Sequence, residues 1–453
     1  MHITDHAIER ISRRGFLALT GGVAAAGVLS ACGGPESSQN TGGAGFASLD
    51  AVRAAAKGQT VSIVYPNNPG FDSTLKQVLG PAFTADTGVT VQFVGLPSNS
   101  YDDVTQRIQT DLTAGQGDDL ALIGLQNVRT YADAKLALPL DSFLALSPDY
   151  GGQLYPSLLT LGKRGDTTYA IPFCASVLIM YYNADQFSKA GLDPANPPST
   201  FSEVRAAAAK LVDSRVARYG AVTPYDSETI WPHQTFLSSA GGSFMSPDER
   251  TITFDSDKAI ANLDFWAQLA KDGYSAPLAA ADAQKAFLSG ELAMFITSSA
   301  QVVSNKKGAS FALKTAKTPI PDGGTLRTPA AGAGIVVLTK DSAKQAAAWQ
   351  VIQALTGKAG STAQTMASGY LPVNKAAAED PSGLGEFLNK DPLRAAAASE
   401  VPAIVSWYQF PGAHTAEISK ALQDAVLAAT SGKKTAAAAL HDAANQARSL
   451  LPQ

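Results

Sequence analysis

Tyr169-Ala170-Ile171-Pro172-Phe173-Cys174-Ala175-Ser176 runs directly into Val177-Leu178-Ile179-Met180-Tyr181-Tyr182-Asn183. Tyr169 to Phe173 are β-prone, and Val177 to Tyr182 form a near-continuous apolar and aromatic run, as in a strand buried on both faces. Between them Cys174, Ala175 and Ser176 are small and offer no bulk to fix the chain. Ala184 to Ala190 then reads as a helix stopped by Gly191. Two strands joined by a small-residue step, with a helix after them, predict a chain passing from one lobe to another.

Upstream of this crossing, predicted strands Thr60–Tyr65, Thr90–Val94 and Leu120–Leu125 alternate with predicted helices over 73–87 and 102–114. That alternation describes βαβ units around a parallel sheet. In such sheets ligands sit beyond the carboxyl ends of the strands. The post-strand loops therefore make Tyr65, Tyr101, Gln126 and Asn127 candidate ligand contacts. Downstream, Thr200 and Glu203 have the spacing of a helix capping box. A Gly/Pro-rich linker over 319–333 precedes a predicted strand, 334–338, and a helix, 342–355. Gly369 to Val373 reads as a third crossing, and the Ala-rich tail from Thr415 as two surface helices.

With 453 residues, 45% hydrophobic and 16% charged, the chain can bury a sizeable core. Its net charge of −4, and the absence of a Lys/Arg run interleaved with aromatics, exclude a polyanion-binding surface, so no nucleic-acid partner is expected. Ser12-Arg13-Arg14-Gly15-Phe16-Leu17 resembles a twin-arginine export motif, and Leu29-Ser30-Ala31-Cys32 resembles a bacterial lipobox. Residues 1–31 are thus an expected export signal and 32–58 a tether lipidated at Cys32, flexible over 33–48 and with a helical turn over 49–57, which places the protein on the outer face of the cell membrane. With Cys32 lipidated, Cys174 has no disulfide partner and reads as a small core residue. The five histidines show no metal spacing, and no nucleophile elbow, P-loop or zinc-protease motif is present. No enzyme activity, metal or cofactor is expected; an exported hydrolase or a surface adhesin is the remoter alternative.

Tyr181-Tyr182-Asn183, Ala190-Gly191-Leu192-Asp193, the stretch from Phe287 to Met294, and Ser368-Gly369-Tyr370-Leu371-Pro372-Val373 occur in the order of the family 1 extracellular solute-binding proteins of ABC importers, which this chain resembles. The resemblance implies an α/β, two-lobed periplasmic-binding-protein type II fold. Each lobe would be a mixed, mostly parallel sheet flanked by helices, and the two would join through a three-segment hinge. The implied lobes are 59–173 plus 331–368 and 174–330 plus 369–453. The last of these motifs, with Gly332, is most similar to the branch that binds glycerol-3-phosphate and glycerophosphodiesters. In that branch the cleft is lined at positions matching Tyr101, Ser176, Trp231, Ser298 or Ser299, Gly332 and Tyr370. Aromatic faces and hydroxyls at those positions suit a polyol.

Two positions depart from the branch. Gln126 stands where it has an acid, and Trp407, beside Tyr408, stands where it has the arginine that would hold a phosphate. Arg129 is either a compensating cation or a surface charge at a helix start. The loss of both charges predicts a neutral saccharide or polyol as solute, with a glycerophosphodiester as the alternative. ABC permease subunits and a monomeric state complete the expectation.

Overall fold

The computed structural model describes residues 45–226, 230–412 and 414–452; the export motif, the lipobox and Cys32 lie outside them. Two mixed sheets form the framework. In the first, the strands Thr90–Gly95, Thr60–Tyr65, Leu120–Gly124, Ala331–Val337 and Ile171–Ser176 lie side by side in that order. The pairs made by the early strands are parallel, as βαβ units require, whereas Ala331–Val337 runs antiparallel to both of its neighbours. The second sheet orders Leu313–Lys317, Leu178–Asn183, Leu292–Ser298 and Tyr219–Val222, and only its last pair is parallel. This is the mixed α/β architecture, with helices flanking its sheets, of the type II periplasmic-binding-protein fold.

The crossing falls where the small residues are. Ile171–Ser176 ends the first sheet's edge and Leu178–Asn183 enters the second sheet, both fully buried, with Val177 alone between them. That single residue is pinned from both sides: its N–H donates to Ser299 Oγ at 3.3 Å and its carbonyl accepts from Ser299 N at 2.8 Å. Small side chains are required here because the return strand packs closely. Gly332 sits opposite Ala175 at φ 131°, where a Cβ would lie 2.2 Å from the Cys174 carbonyl oxygen. Cys174 itself is buried and unpaired, and burial pushes its thiol far above the usual range, so it is an inert core residue. One apolar cluster runs through the crossing, joining Ile123 and Ala175 to Ile179 and Phe295.

One local reading changes. The helix expected over 73–87 is two, Phe71–Val78 and Pro81–Thr87, because Pro81 cannot continue a helix but suits the first turn of a new one. The helical turn expected at the end of the tether is a full helix. Leu49–Ala56 is a helix capped by Ser48, and Val52 and Ala56, one turn apart, are fully buried in the cluster that also holds Trp349 of the helix Ser342–Thr356. The two C-terminal helices, Thr415–Thr430 and Ala436–Leu450, pack instead on the helix Asp257–Lys271, with alanine-rich faces in which Leu422, Val426, Leu440 and Ala444 are buried.

Candidate ligand-binding cleft

A large cleft lies beyond the carboxyl end of strand Leu120–Gly124, where the sheet rule puts a ligand. A single 3-10 turn, Leu125–Asn127, carries Gln126 and Asn127, and the helix Val128–Asp133 follows it. Opposite stands the C-terminal segment around Trp407. The cleft holds about 680 Å³, within the range of small-molecule sites, and is bounded by Asp102, Gln126, Arg129, Trp407, Tyr408 and Gln409 among others. An adjoining pocket of about 470 Å³ shares Gln126, Arg129 and Trp407 and adds Lys163, Arg164 and Glu249.

The aromatic wall is built from the sequence outward. Ile230, at φ 67°, turns the chain into the helix Trp231–Ser239. The Trp231 indole N–H donates to the Pro329 carbonyl at 2.6 Å, so this buried ring is fixed against the segment that leads into strand Ala331–Val337. Trp407 packs on Trp231 with ring centroids 5.8 Å apart and an interplanar angle of 48°. The next residue is held by a two-way amide clamp: Gln234 Nε2 donates to the Tyr408 carbonyl at 3.1 Å, and Tyr408 N donates to Gln234 Oε1 at 3.2 Å. Trp407 is thereby a half-buried face with a rigid backing. Gln126 adds a buried side-chain oxygen, Oε1, with no hydrogen-bond partner among the described residues, and Asn127 Nδ2 reaches Asp102 Oδ1 at 3.4 Å.

The two arginines at the cleft are internally paired. Arg129 is neither a surface residue nor an open cation: its side chain is 14% exposed, and its two terminal nitrogens meet the two Glu249 oxygens at 2.6 and 2.8 Å. It also donates to the Gln409 carbonyl at 3.1 Å and to Asp133 at 3.2 Å. The Arg129 hydrogen bonds hold the Glu249 carboxyl below the usual range. Arg164 is paired with Asp133 at 3.1 Å.

The sequence pattern of the bacterial extracellular solute-binding protein family matches residues 65–362. The chain belongs to this family. A putative binding protein of Brucella abortus is 29% identical over 384 residues, covering 82% of this chain and 88% of its own. An sn-glycerol-3-phosphate-binding periplasmic protein of Agrobacterium fabrum is 29% identical over 244 residues, 51% of this chain and 54% of the other. Among solved structures, the cyclic alpha-maltosyl-1,6-maltose binding protein from Arthrobacter globiformis shares the fold, with a TM-score of 0.74 at 22% identity over 86% of this chain and 97% of the other. Members of this solute-binding family capture small polar solutes and are not catalysts. Among the described residues no helix is long and apolar enough to cross a membrane, and no group of His, Cys, Asp and Glu side chains is placed to hold a metal.

In this solute-binding protein the residues singled out from sequence fall into two groups. Gln126, Asn127, Trp407 and Tyr408 line the large cleft, with Trp231 directly behind Trp407. The others sit in the hinge or the core beside it. Tyr65 is buried at the end of its strand and donates to Asp72 Oδ1 at 2.7 Å. Tyr101, also buried, belongs with Tyr65 and Tyr370 to one apolar cluster, and Tyr370 lies 6.0 Å from Phe71. Ser176 and Gly332 face Ala331 and Ala175 across the hinge ladder. Ser298 Oγ caps the turn at Ala300, and Ser299 pins Val177. Ser299 and Tyr370 border a separate, mostly apolar cavity of about 270 Å³ with Leu371, Leu393 and Ala397. Sequence reasoning missed Glu249, Gln409 and Thr130 as neighbours of the cleft, because no local pattern signals a contact made across 120 or 280 residues.

Proposed function

We propose that this family member is the solute-capturing lipoprotein of an ABC importer, taking a glycerol phosphate or glycerophosphodiester into the cleft between Gln126 and Trp407 and handing it to membrane permease subunits. The observation that carries the reading is the cleft itself, about 680 Å³ with a fixed indole on one wall and an unpartnered amide oxygen on the other. Relatives named for sn-glycerol-3-phosphate support the solute class. The adjoining pocket is lined by Lys163 as well as by Gln126 and Trp407, and this lysine supplies positive charge to an anionic group although Arg129 and Arg164 are already paired. A neutral saccharide or polyol is the second reading, favoured by the commitment of Arg129 to Glu249 and by the half-buried face of Trp407. Capture would use two lobes, 59–173 with 331–368 and 174–330 with 369–453, closing on the solute as a monomer tethered to the outer face of the cell membrane through Cys32.

Titration calorimetry with sn-glycerol-3-phosphate, glycerophosphocholine and maltose tests the solute class. The proposal expects the phosphate-bearing solutes to bind more tightly than maltose, with affinity falling as salt rises. Salt-insensitive binding that prefers maltose supports the second reading, and binding of none of the three refutes both. For anchoring, Cys32→Ala is expected to move the exported protein from the membrane fraction to the soluble fraction; full membrane retention of the variant refutes lipid attachment at Cys32.

A further inference from the structure

The contacts around Arg129 join parts of the chain that the two sheets hold separately. Arg129 and Thr130 belong to the helix that follows strand Leu120–Gly124 of the first sheet. Glu249 sits in the turn Ser246–Arg250, between Met245 and Ile252, which pack with the C-terminal helices, and Gln409 follows the aromatic wall. Three links bridge them: the two-point Arg129–Glu249 pair, Arg129 to the Gln409 carbonyl at 3.1 Å, and Gln409 Nε2 to Thr130 Oγ1 at 2.7 Å. Glu249 adopts φ 56°, a left-handed conformation that a residue with a side chain adopts only where its surroundings hold it. That turn aims both carboxylate oxygens at the guanidinium.

We propose that Arg129 and Glu249 form a latch between the two walls of the cleft, with Gln409 and Thr130 as its second point, and that they are positioning residues for capture and not contacts to the solute. The inference rests on the reading of this chain as a binding protein that closes. A planar guanidinium matched to a carboxylate at two points is the geometry that resists shear between two bodies. Such a latch raises the population of the capture-competent form, so it strengthens binding of any solute by the same factor, whatever its charge.

The test uses the mature protein with R129Q, E249G and the charge-reversed pair R129E/E249R. Glycine accepts the left-handed φ at position 249 without strain, so E249G removes the carboxylate and keeps the turn. Without added solute, hydrogen–deuterium exchange in 128–133 and 406–412 is expected to quicken several-fold in R129Q and E249G, to recover in the reversed pair, and to stay unchanged in the buried strand 120–124. For whichever of sn-glycerol-3-phosphate and maltose binds, stopped-flow kinetics are expected to show koff rising roughly tenfold with kon nearly constant. Unchanged exchange in both segments overturns the latch, as does faster exchange throughout the chain. A loss confined to sn-glycerol-3-phosphate overturns it in favour of direct contact between Arg129 and the solute. If neither compound binds, the solute class fails while the exchange result still decides the latch.

Discussion

Replacing Glu400 by glutamine should stabilise the protein above neutral pH and leave it unchanged in acid. Glu400 ends the helix Ala395–Glu400, one 3-10 turn before the short strand Ile404–Val405 that pairs with Thr328–Pro329, and it is fully buried. One carboxyl oxygen accepts from Thr318 N at 2.6 Å, and the other has no hydrogen-bond partner among the described residues. Burial is the main cause that pushes this carboxyl up from 4.5 to about 8, with the Thr318 hydrogen bonds and Lys317 pulling the other way. The folded pKa lies above the unfolded one, so folding takes up a proton between those values. The associated stability is fully present below pH 4.5 and is lost as pH rises towards 8. At about 1.4 kcal/mol per unit the full span approaches 5 kcal/mol, and relaxation of the site brings the expected loss to about 2–4 kcal/mol. Glutamine keeps the size and the acceptor for Thr318 but carries no charge. Urea unfolding followed by circular dichroism at pH 4.5 and pH 8.5 should show wild type and Glu400→Gln matching in acid, with the variant more stable by that amount at pH 8.5. A difference between the two proteins that does not change with pH would refute the reasoning.

Trp407→Ala removes the half-buried indole from the cleft wall and, at about 1.5–3 kcal/mol for a large apolar contact, should weaken solute binding ten- to a hundredfold in titration calorimetry. Arg394 is 7% exposed, donates to the Thr365 and Ser368 carbonyls at 3.1 and 2.6 Å, and stands 4.9 Å over the Phe387 ring. Arg394→Met leaves those carbonyls unpaired, and a loss of about 2–4 kcal/mol is expected from urea unfolding at pH 7.

The architecture was legible because its signals are local. The apolar run Val177–Tyr182 reads as a strand buried on both faces, and Leu178–Asn183 is such a strand. Thr200 and Glu203 form the capping box that their spacing announced. The two-helix break at Gly80–Pro81 was also written locally, in the proline, and passed over. The candidate site was half legible. Gln126 and Asn127 were found by the rule that ligands lie past strand ends, and Trp407 by its departure from a related pattern. Tyr65, Tyr101 and Tyr370 lie near the same strand ends and crossings, yet their rings turn into the core, since an aromatic residue in a loop carries no record of which way it faces. Arg129 could not be assigned at all from sequence. Its surroundings are Glu249 and Gln409, and only the folded chain brings them within hydrogen-bonding distance.

The most direct test of where capture happens is a crystal structure of the protein with sn-glycerol-3-phosphate. The account predicts density for the solute between Gln126 and the Trp407 ring, in the cleft of about 680 Å³. Density instead in the cavity of about 270 Å³ beside Ser299 and Tyr370, with the Gln126–Trp407 cleft unfilled, would contradict it.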